Sequence, residues 1–266
     1  MNRLGASAST RWIVGVLVGL FFLVPLVSTL LFTFSDNATG GFTLAHWAGL
    51  FDPAKASLYQ PIWVGLGNSL ILAVVTVAIV LFVLAPTMVL VNLRHPRLRP
   101  VFEFVVLLPI SIPAIVLVVG LAPIYLQIGR MVGTGAWTLA FAYGVTVLPF
   151  AYRSIQASMD AVDMRTLSEA GRTLGAGWPT ILLRVLAPNL RQGLLAASLI
   201  SVAVVLGEFT IASLLNRQVF QTGILVVSKI DGYSSAMFTL LALVLVFLLL
   251  LVIGRVGRGR PGRTRS

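Results

Sequence analysis

Lys55 and Lys229 are the only lysines, set in Ala-Lys-Ala and Ser-Lys-Ile. A nucleotide-phosphate loop needs Gly-Lys-Ser/Thr, where backbone amides and the lysine together hold the phosphates. Neither lysine stands in that context, so ATP hydrolysis has no seat in this chain. The two histidines, His46 and His95, lie far apart, the first beside a tryptophan and the second among arginines. Cysteine is absent, which removes disulfides, thiolate metal sites and cysteine nucleophiles. An enzyme needs a paired nucleophile and base, a His/Asp/Glu cluster or a metal site, and none is present. No catalytic residue, metal site or cofactor is expected. Two features with chemical content remain: Glu208, alone in Val204-Val-Leu-Gly-Glu-Phe-Thr-Ile211, and a mixed polar and apolar segment at 166–188.

The elements that position them follow from composition. Of 266 residues, 58% are hydrophobic and 10% charged, with a mean hydropathy of +0.99. Soluble domains carry about 25% charged residues, so lipid must be the main solvent here. Length allows one domain, 1–266. Six apolar stretches, near 12–34, 66–91, 101–126, 136–152, 192–215 and 236–254, are long enough to cross a bilayer as helices. The first is read as an uncleaved anchor, because its apolar run is too long for a signal peptide and no small-residue cleavage site follows. Its Gly15–Gly19 pair could pack a helix dimer, although ordinary intrachain packing is the plainer reading.

With the N-terminus in the cytoplasm, fifteen of the nineteen basic residues fall on the inner side and four, Lys55, Arg130, Arg217 and Lys229, on the outer. That asymmetry places both termini and the 153–191 loop inside. It also accounts for the net charge of +11 without nucleic acid, since the Arg-rich tail from Arg255 onward sits where anionic headgroups attract it. The outer loop 35–65 is expected to hold a short interfacial helix over 43–51, with Trp47 at headgroup depth. Asn37-Ala-Thr39 spells a glycosylation sequon that nothing else in the chain supports. In the third span Pro109 and Pro113, with Pro123 further on, either bend the helix statically or break it beside a translocation path.

The segment 166–188 reads as two short helices around a glycine turn. Thr166 and Glu169 match a capping box. Gly175 suits the left-handed residue that ends helices, Pro179 the first turn of the second helix, and Pro188 a break before the fifth span. Leu167, Ala170, Gly171 and Leu174 follow helical spacing on one face, as do Trp178, Ile181, Leu182 and Val185. Helices this short need a partner to pack on, and the bilayer surface is as good a candidate as a protein groove.

This segment resembles the "EAA" loop of binding-protein-dependent ABC importer permeases, whose pattern is Glu-Ala-Ala, three residues, Gly, nine residues, then Ile-x-Leu-Pro. Here Glu169-Ala170-Gly171 is followed in register by Gly175 and by Val185-Leu-Ala-Pro188. Gly171, Val185 and Ala187 depart from it, all to small or aliphatic residues. The resemblance extends to Asn68-Ser69 in the second span, Pro109 and Pro113 in the third, and Gly207-Glu208-Phe209 in the fifth, and is nearest to the spermidine/putrescine-type permeases. It implies an all-α integral membrane protein of six transmembrane helices with a cytoplasmic coupling helix, the MetI-like type I fold, in a bacterial inner membrane. Its implied partners are separate ATP-binding cassette ATPases, a second permease (a different chain), a solute-binding protein outside the membrane, and lipid. Glu169, Ala170, Gly171, Leu174, Gly175, Trp178 and Pro188 would couple to the ATPase. Asn68, Ser69, Pro109, Pro113 and Glu208 are candidates for the pathway. Polyamine is the implied solute, with ferric ion or phosphonate as alternatives. A secondary transporter or channel is the rival class, weakened by the scarcity of ionisable residues within the spans and by the lack of an inverted repeat.

Overall fold

Runs of Leu, Val, Ile and Ala without polar interruption satisfy every backbone group internally only as helix, and the computed structural model is helical throughout, with no β-strand among the described residues, 7–36 and 40–257. In chain order the helices are α1 (Ala8–Phe34), α2 (Ala45–Ala48), α3 (Ala56–Ile79), α4 (Ala85–Arg94), α5 (Arg99–Leu107), α6 (Ala114–Met131), α7 (Ala140–Asp160), α8 (Met164–Thr173), α9 (Trp178–Thr180), α10 (Ala187–Asn189), α11 (Arg191–Gly207), α12 (Thr210–Leu214), α13 (Phe220–Ser228) and α14 (Gly232–Gly257). Two π-helical turns, Val80–Leu84 and Ile181–Leu186, join α3 to α4 and α9 to α10. Among the described residues four helices are long and apolar enough to cross a membrane: Ser9–Phe34, Pro53–Arg94, Ala114–Met131 and Gly232–Val252. A fifth span is present if Trp178–Asn189 and Arg191–Gly207, bent by 81° at their junction, count as one. α7 stands where the fourth span was expected but carries Arg153 and Asp160 in its last turns. Arg3, Arg258, Arg260, Arg263, Arg265 and the 37–39 sequon lie outside the described residues.

The helices differ from the expected apolar stretches in three places. α3 starts at Ala56, inside the stretch read as the outer loop 35–65, and runs through Pro61, whose ring removes one backbone donor from the helix. The third span is broken, not merely bent: α5 passes into a 3-10 turn at Leu108–Ser111, Ile112 is extended, and Pro113 stands at the start of α6. The fifth span does not reach residue 215 as one helix, because Glu208 is extended (ψ 126°) and separates α11 from α12.

The chain falls into two compact units. The first comprises Met1–Gln60 and Ile224–Leu245. None of the most apolar stretch of α1 is buried within the chain, and a Cβ at Gly15 or Gly19 would meet no neighbour within 4 Å. Within their own unit those glycines meet no packing partner. The short helix over the outer loop is present as α2 and the turn Gly49–Phe51. Trp47 donates its indole N–H to the Thr33 hydroxyl (3.1 Å), and His46 stacks on Tyr233 (3.9 Å) while its Nε2 meets the Ser35 carbonyl (3.1 Å). His46 has a packing role here.

The second unit, Pro61–Gly223 with Val246–Ser266, is organised around α7. One face of α7 (Val147, Ala151, Ile155, Met159) packs with α4, the second π turn and α11; its N-terminal part (Ala140, Ala142, Tyr143) packs with Leu72, Ala73, Val205 and Ile211. α11 lies close against α7 because Gly193 has no side chain: a Cβ there would fall 2.5 Å from Ser158 Oγ and 2.7 Å from the Ser154 carbonyl. Gly193→Ala is expected to overpack this contact and destabilise the protein by about 1–3 kcal/mol. Gly67→Ala, where a Cβ meets nothing, should be neutral or slightly stabilising through helix propensity. Thermal unfolding of both variants in one detergent checks the contrast.

Candidate functional site

The 166–188 segment folds into a buttressed helical hairpin. α8 is capped by Asp163, not Thr166: the Asp163 carboxylate accepts from the Thr166 amide (3.1 Å) and from its hydroxyl (2.7 Å). Thr166 is thus inside the helix, and Glu169, the expected other half of a capping box, instead accepts from Arg165 Nε (2.9 Å) on an exposed face. The pattern Thr-x-x-Glu was real but lay one turn too late. At the other end Gly175 has φ +78°, as expected of a left-handed stop. The Ala176 amide donates to the Gly171 carbonyl (3.0 Å) and the Gly175 amide to the Arg172 carbonyl (2.9 Å), the paired bonds of a Schellman motif. Both ends of a ten-residue helix are therefore fixed by its own sequence.

Its faces are divided more finely than periodicity suggests. Met164, Ser168 and Gly171 are buried and Leu167 packs beside them, whereas Ala170 and Leu174 are exposed, Leu174 at 87%. The expected single stripe is split between the chain's own core and the outside. Gly171 is the contact point: a Cβ would lie 3.2 Å from Ile181 Cγ1 and 3.8 Å from Val185 Cγ2. Trp178, Ile181, Leu182 and Val185 all pack inward, as expected of one face. Of the residues assigned to coupling, Glu169, Ala170, Leu174 and Gly175 thus present themselves outward, while Gly171 and Trp178 support from below. Pro188 is exposed just before the 81° bend into α11.

The candidate pathway residues do not come together as one group. Ser69 is buried and accepts from the Phe220 amide (3.0 Å), and Asn68 donates to the Gln218 carbonyl (2.8 Å), so both tie the turn between α12 and α13 to α3. Gly65 sits under the same turn, with no room for a Cβ against the Val219 carbonyl. Pro109 and Pro113 flank the break in the third span. Glu208 is partly buried, and both its carboxylate oxygens accept from the Ile211 amide (3.0 and 3.1 Å), capping α12. No sequence signal pointed to Gln221, whose side-chain amide donates back to the Leu206 carbonyl at the end of α11 (3.1 Å). Nor did it single out Tyr125, whose hydroxyl donates to the Thr138 carbonyl (3.1 Å) and accepts from the Ala142 amide (3.0 Å) at the start of α7.

Hydrogen bonds from the Thr166 hydroxyl and amide hold the Asp163 carboxyl below its ordinary range. The cap is accordingly present above the usual aspartate pKa and is lost as pH falls through the lowered value. Asp163→Ala, which removes the cap, is expected to open the first turn of α8. Glu169→Ala, which removes only an exposed i,i+4 pair, should cost about 0.3–0.5 kcal/mol. Hydrogen exchange of the α8 amides separates the two.

Comparison with known proteins adds a second line of evidence. The family model of binding-protein-dependent transport system inner membrane components matches residues 83–258, most of the chain. The spermidine/putrescine transport system permease PotB of Haemophilus influenzae is 26% identical over 216 residues, 73% of this chain and 72% of PotB. A protein of Sinorhizobium fredii described as a probable ABC transporter permease, y4fN, is 30% identical over 185 residues, 65% of this chain but 31% of that longer relative. The match covers the helical hairpin, α11 with its bend, and the break at Glu208, so the chain belongs to the binding-protein-dependent transport permeases of the inner membrane, a family of membrane transport components rather than of enzymes.

Proposed function

We propose that this chain is the permease subunit of an ATP-driven importer, crossing the membrane six times and coupled through α8 to a separate ATPase. The six spans would be α1, the α3–α4 run, α5 with α6, α7, α11 with its flanking short helices, and α14. Both termini and α8 would face the cytoplasm. A second permease of different sequence would complete the path, and a binding protein outside the membrane would deliver a small solute. Polyamine is the solute favoured by likeness to a spermidine/putrescine permease.

The observation that carries the coupling reading is the build of α8. A ten-residue helix, capped by Asp163 and stopped by Gly175, is propped on Ile181 and leaves Ala170 and the apolar Leu174 uncovered at its tip. Isolated helices of this length are marginal in water. Such investment in rigidity suits an element that transmits force to a partner, more than one that floats on lipid.

Gly175→Val places a β-branched residue at positive φ and should disrupt the stop. The variant is expected to insert in the membrane yet lose substrate-stimulated ATP hydrolysis in reconstituted vesicles; normal coupled transport would refute the role of α8. Topology is tested separately by single cysteines at Leu174 and Ile230, both well exposed (87% and 71%). They should react with impermeant reagents from opposite sides, and labelling from the same side would overturn the orientation.

A further inference from the structure

On the permease reading above, we propose that Glu208, Tyr143 and Thr76 form a binding site for a protonated amine within the second unit. Tyr143 and Thr76 are fully buried, and neither the Tyr143 hydroxyl nor Thr76 Oγ1 has a hydrogen-bond partner among the described residues. Buried hydroxyls are seldom left so. They belong to one neighbourhood. Tyr143 packs in the cluster that holds Leu72, Ala73, Val205 and Ile211, and Thr76 lies one turn beyond Leu72 and Ala73 on the same face of α3. Ile211 is the residue whose amide binds Glu208, and the Tyr143 hydroxyl lies within electrostatic reach of that carboxylate without a well-formed bond to it.

The sign of the ligand follows from where Glu208 stands. It closes the C-terminal end of the 17-residue α11, where the helix dipole already concentrates negative charge. Among the described residues, the backbone donor to that carboxylate is one amide of the five-residue α12. Broken helices whose carbonyl ends face a path are suited to cations. The cation is not a divalent metal ion. Among the described residues no group of three or more His, Cys, Asp or Glu could hold one, and a single carboxylate with neutral hydroxyls supplies too few hard ligands. An ammonium, by contrast, donates three hydrogen bonds, matching one carboxylate and two hydroxyl acceptors. The rival counter-charge is Arg217, whose Nε is buried without a partner and whose charge is felt at Tyr125, itself within reach of Tyr143.

The test uses the permease purified with its ATPase in detergent, without the binding protein, titrated calorimetrically with 1,4-diaminobutane and with neutral 1,4-butanediol at matched ionic strength. The diamine should bind and the diol should not. Glu208→Gln and Tyr143→Phe should each weaken diamine binding about tenfold to hundredfold, the scale of a lost hydrogen bond to a charged group. Thr76→Val, which keeps shape, should weaken it less, and Arg217→Gln should leave it unchanged or tighten it. Equal binding of the diol, undiminished binding in Glu208→Gln, or loss of binding in Arg217→Gln overturns the site. Should Tyr143→Phe fail to assemble, the Thr76→Val and Glu208→Gln titrations decide. A complex whose ATPase responds to a loaded binding protein but which binds no diamine refutes the amine site and leaves the permease reading standing. Diamine binding by a complex whose ATPase never responds does the reverse.

Discussion

Inside a bilayer no water is at hand to satisfy a backbone amide or carbonyl, and each one left over costs several kcal/mol. A helix discharges that debt by itself; a broken helix cannot. Several polar side chains of this apolar sequence stand where helix is interrupted. Where α11 stops, Glu208 takes the Ile211 amide and Gln221 takes the Leu206 carbonyl. In the turn that follows, Ser69 takes the Phe220 amide, the Thr222 hydroxyl takes the Val219 amide (2.9 Å), and Asn68 takes the Gln218 carbonyl. At the entry to α7, Tyr125 serves both a carbonyl and an amide. These side chains make irregular backbone tolerable, while hydroxyls such as Ser198 and Ser201 bond carbonyls one turn back within regular helix.

That constraint explains which parts of the fold were legible. Long apolar runs and the charge asymmetry specify helices and a membrane setting without reference to packing. Gly175 was readable because a left-handed stop has a sequence signature that few residues imitate. The cap of α8 was not, because Asp163-x-x-Thr166 and Thr166-x-x-Glu169 are both plausible starts one turn apart, and only the backbone decides between them. The split face of α8 was hidden for a related reason. A stripe of apolar residues about 100° wide says that something covers it, but not that one edge meets the chain itself while the other stays open. The break at Glu208 carries no proline. Its signal is a lone carboxylate after a glycine, which reads equally well as a buried polar residue in an unbroken span.

Glycine has two distinct uses here. Gly175 supplies a conformation, whereas Gly171 and Gly193 supply proximity, one letting α8 settle on Ile181 and the other letting α11 settle on α7. Gly171 stands where the likened permeases carry alanine. The extra methyl would lie 3.2 Å from Ile181 Cγ1, tight enough that Ile181 must give way by a few tenths of an ångström. The departure therefore draws the hairpin closer together rather than loosening it.

α11 links these features mechanically. At one end the 81° bend joins it to the helical run that supports α8; at the other lies the break at Glu208. Between them its 17 residues form a rod of about 25 Å at 1.5 Å per residue. Gly193 keeps that rod against α7, near its bent end. Val205 packs with the start of α7 at the other end, so the rod is held along its length and passes a displacement on as one body, through close-packed contacts that rearrange between discrete arrangements rather than stretch. In the proposed importer, a push on the exposed tip of α8 passes through Gly171 and Ile181 to the bend. It is then felt at the far end, where a single carboxylate holds one amide and has a tyrosine hydroxyl within reach. In that importer the interruption of α11 at Glu208 would let that end move without unwinding the helix, a use that would repay its polar cost.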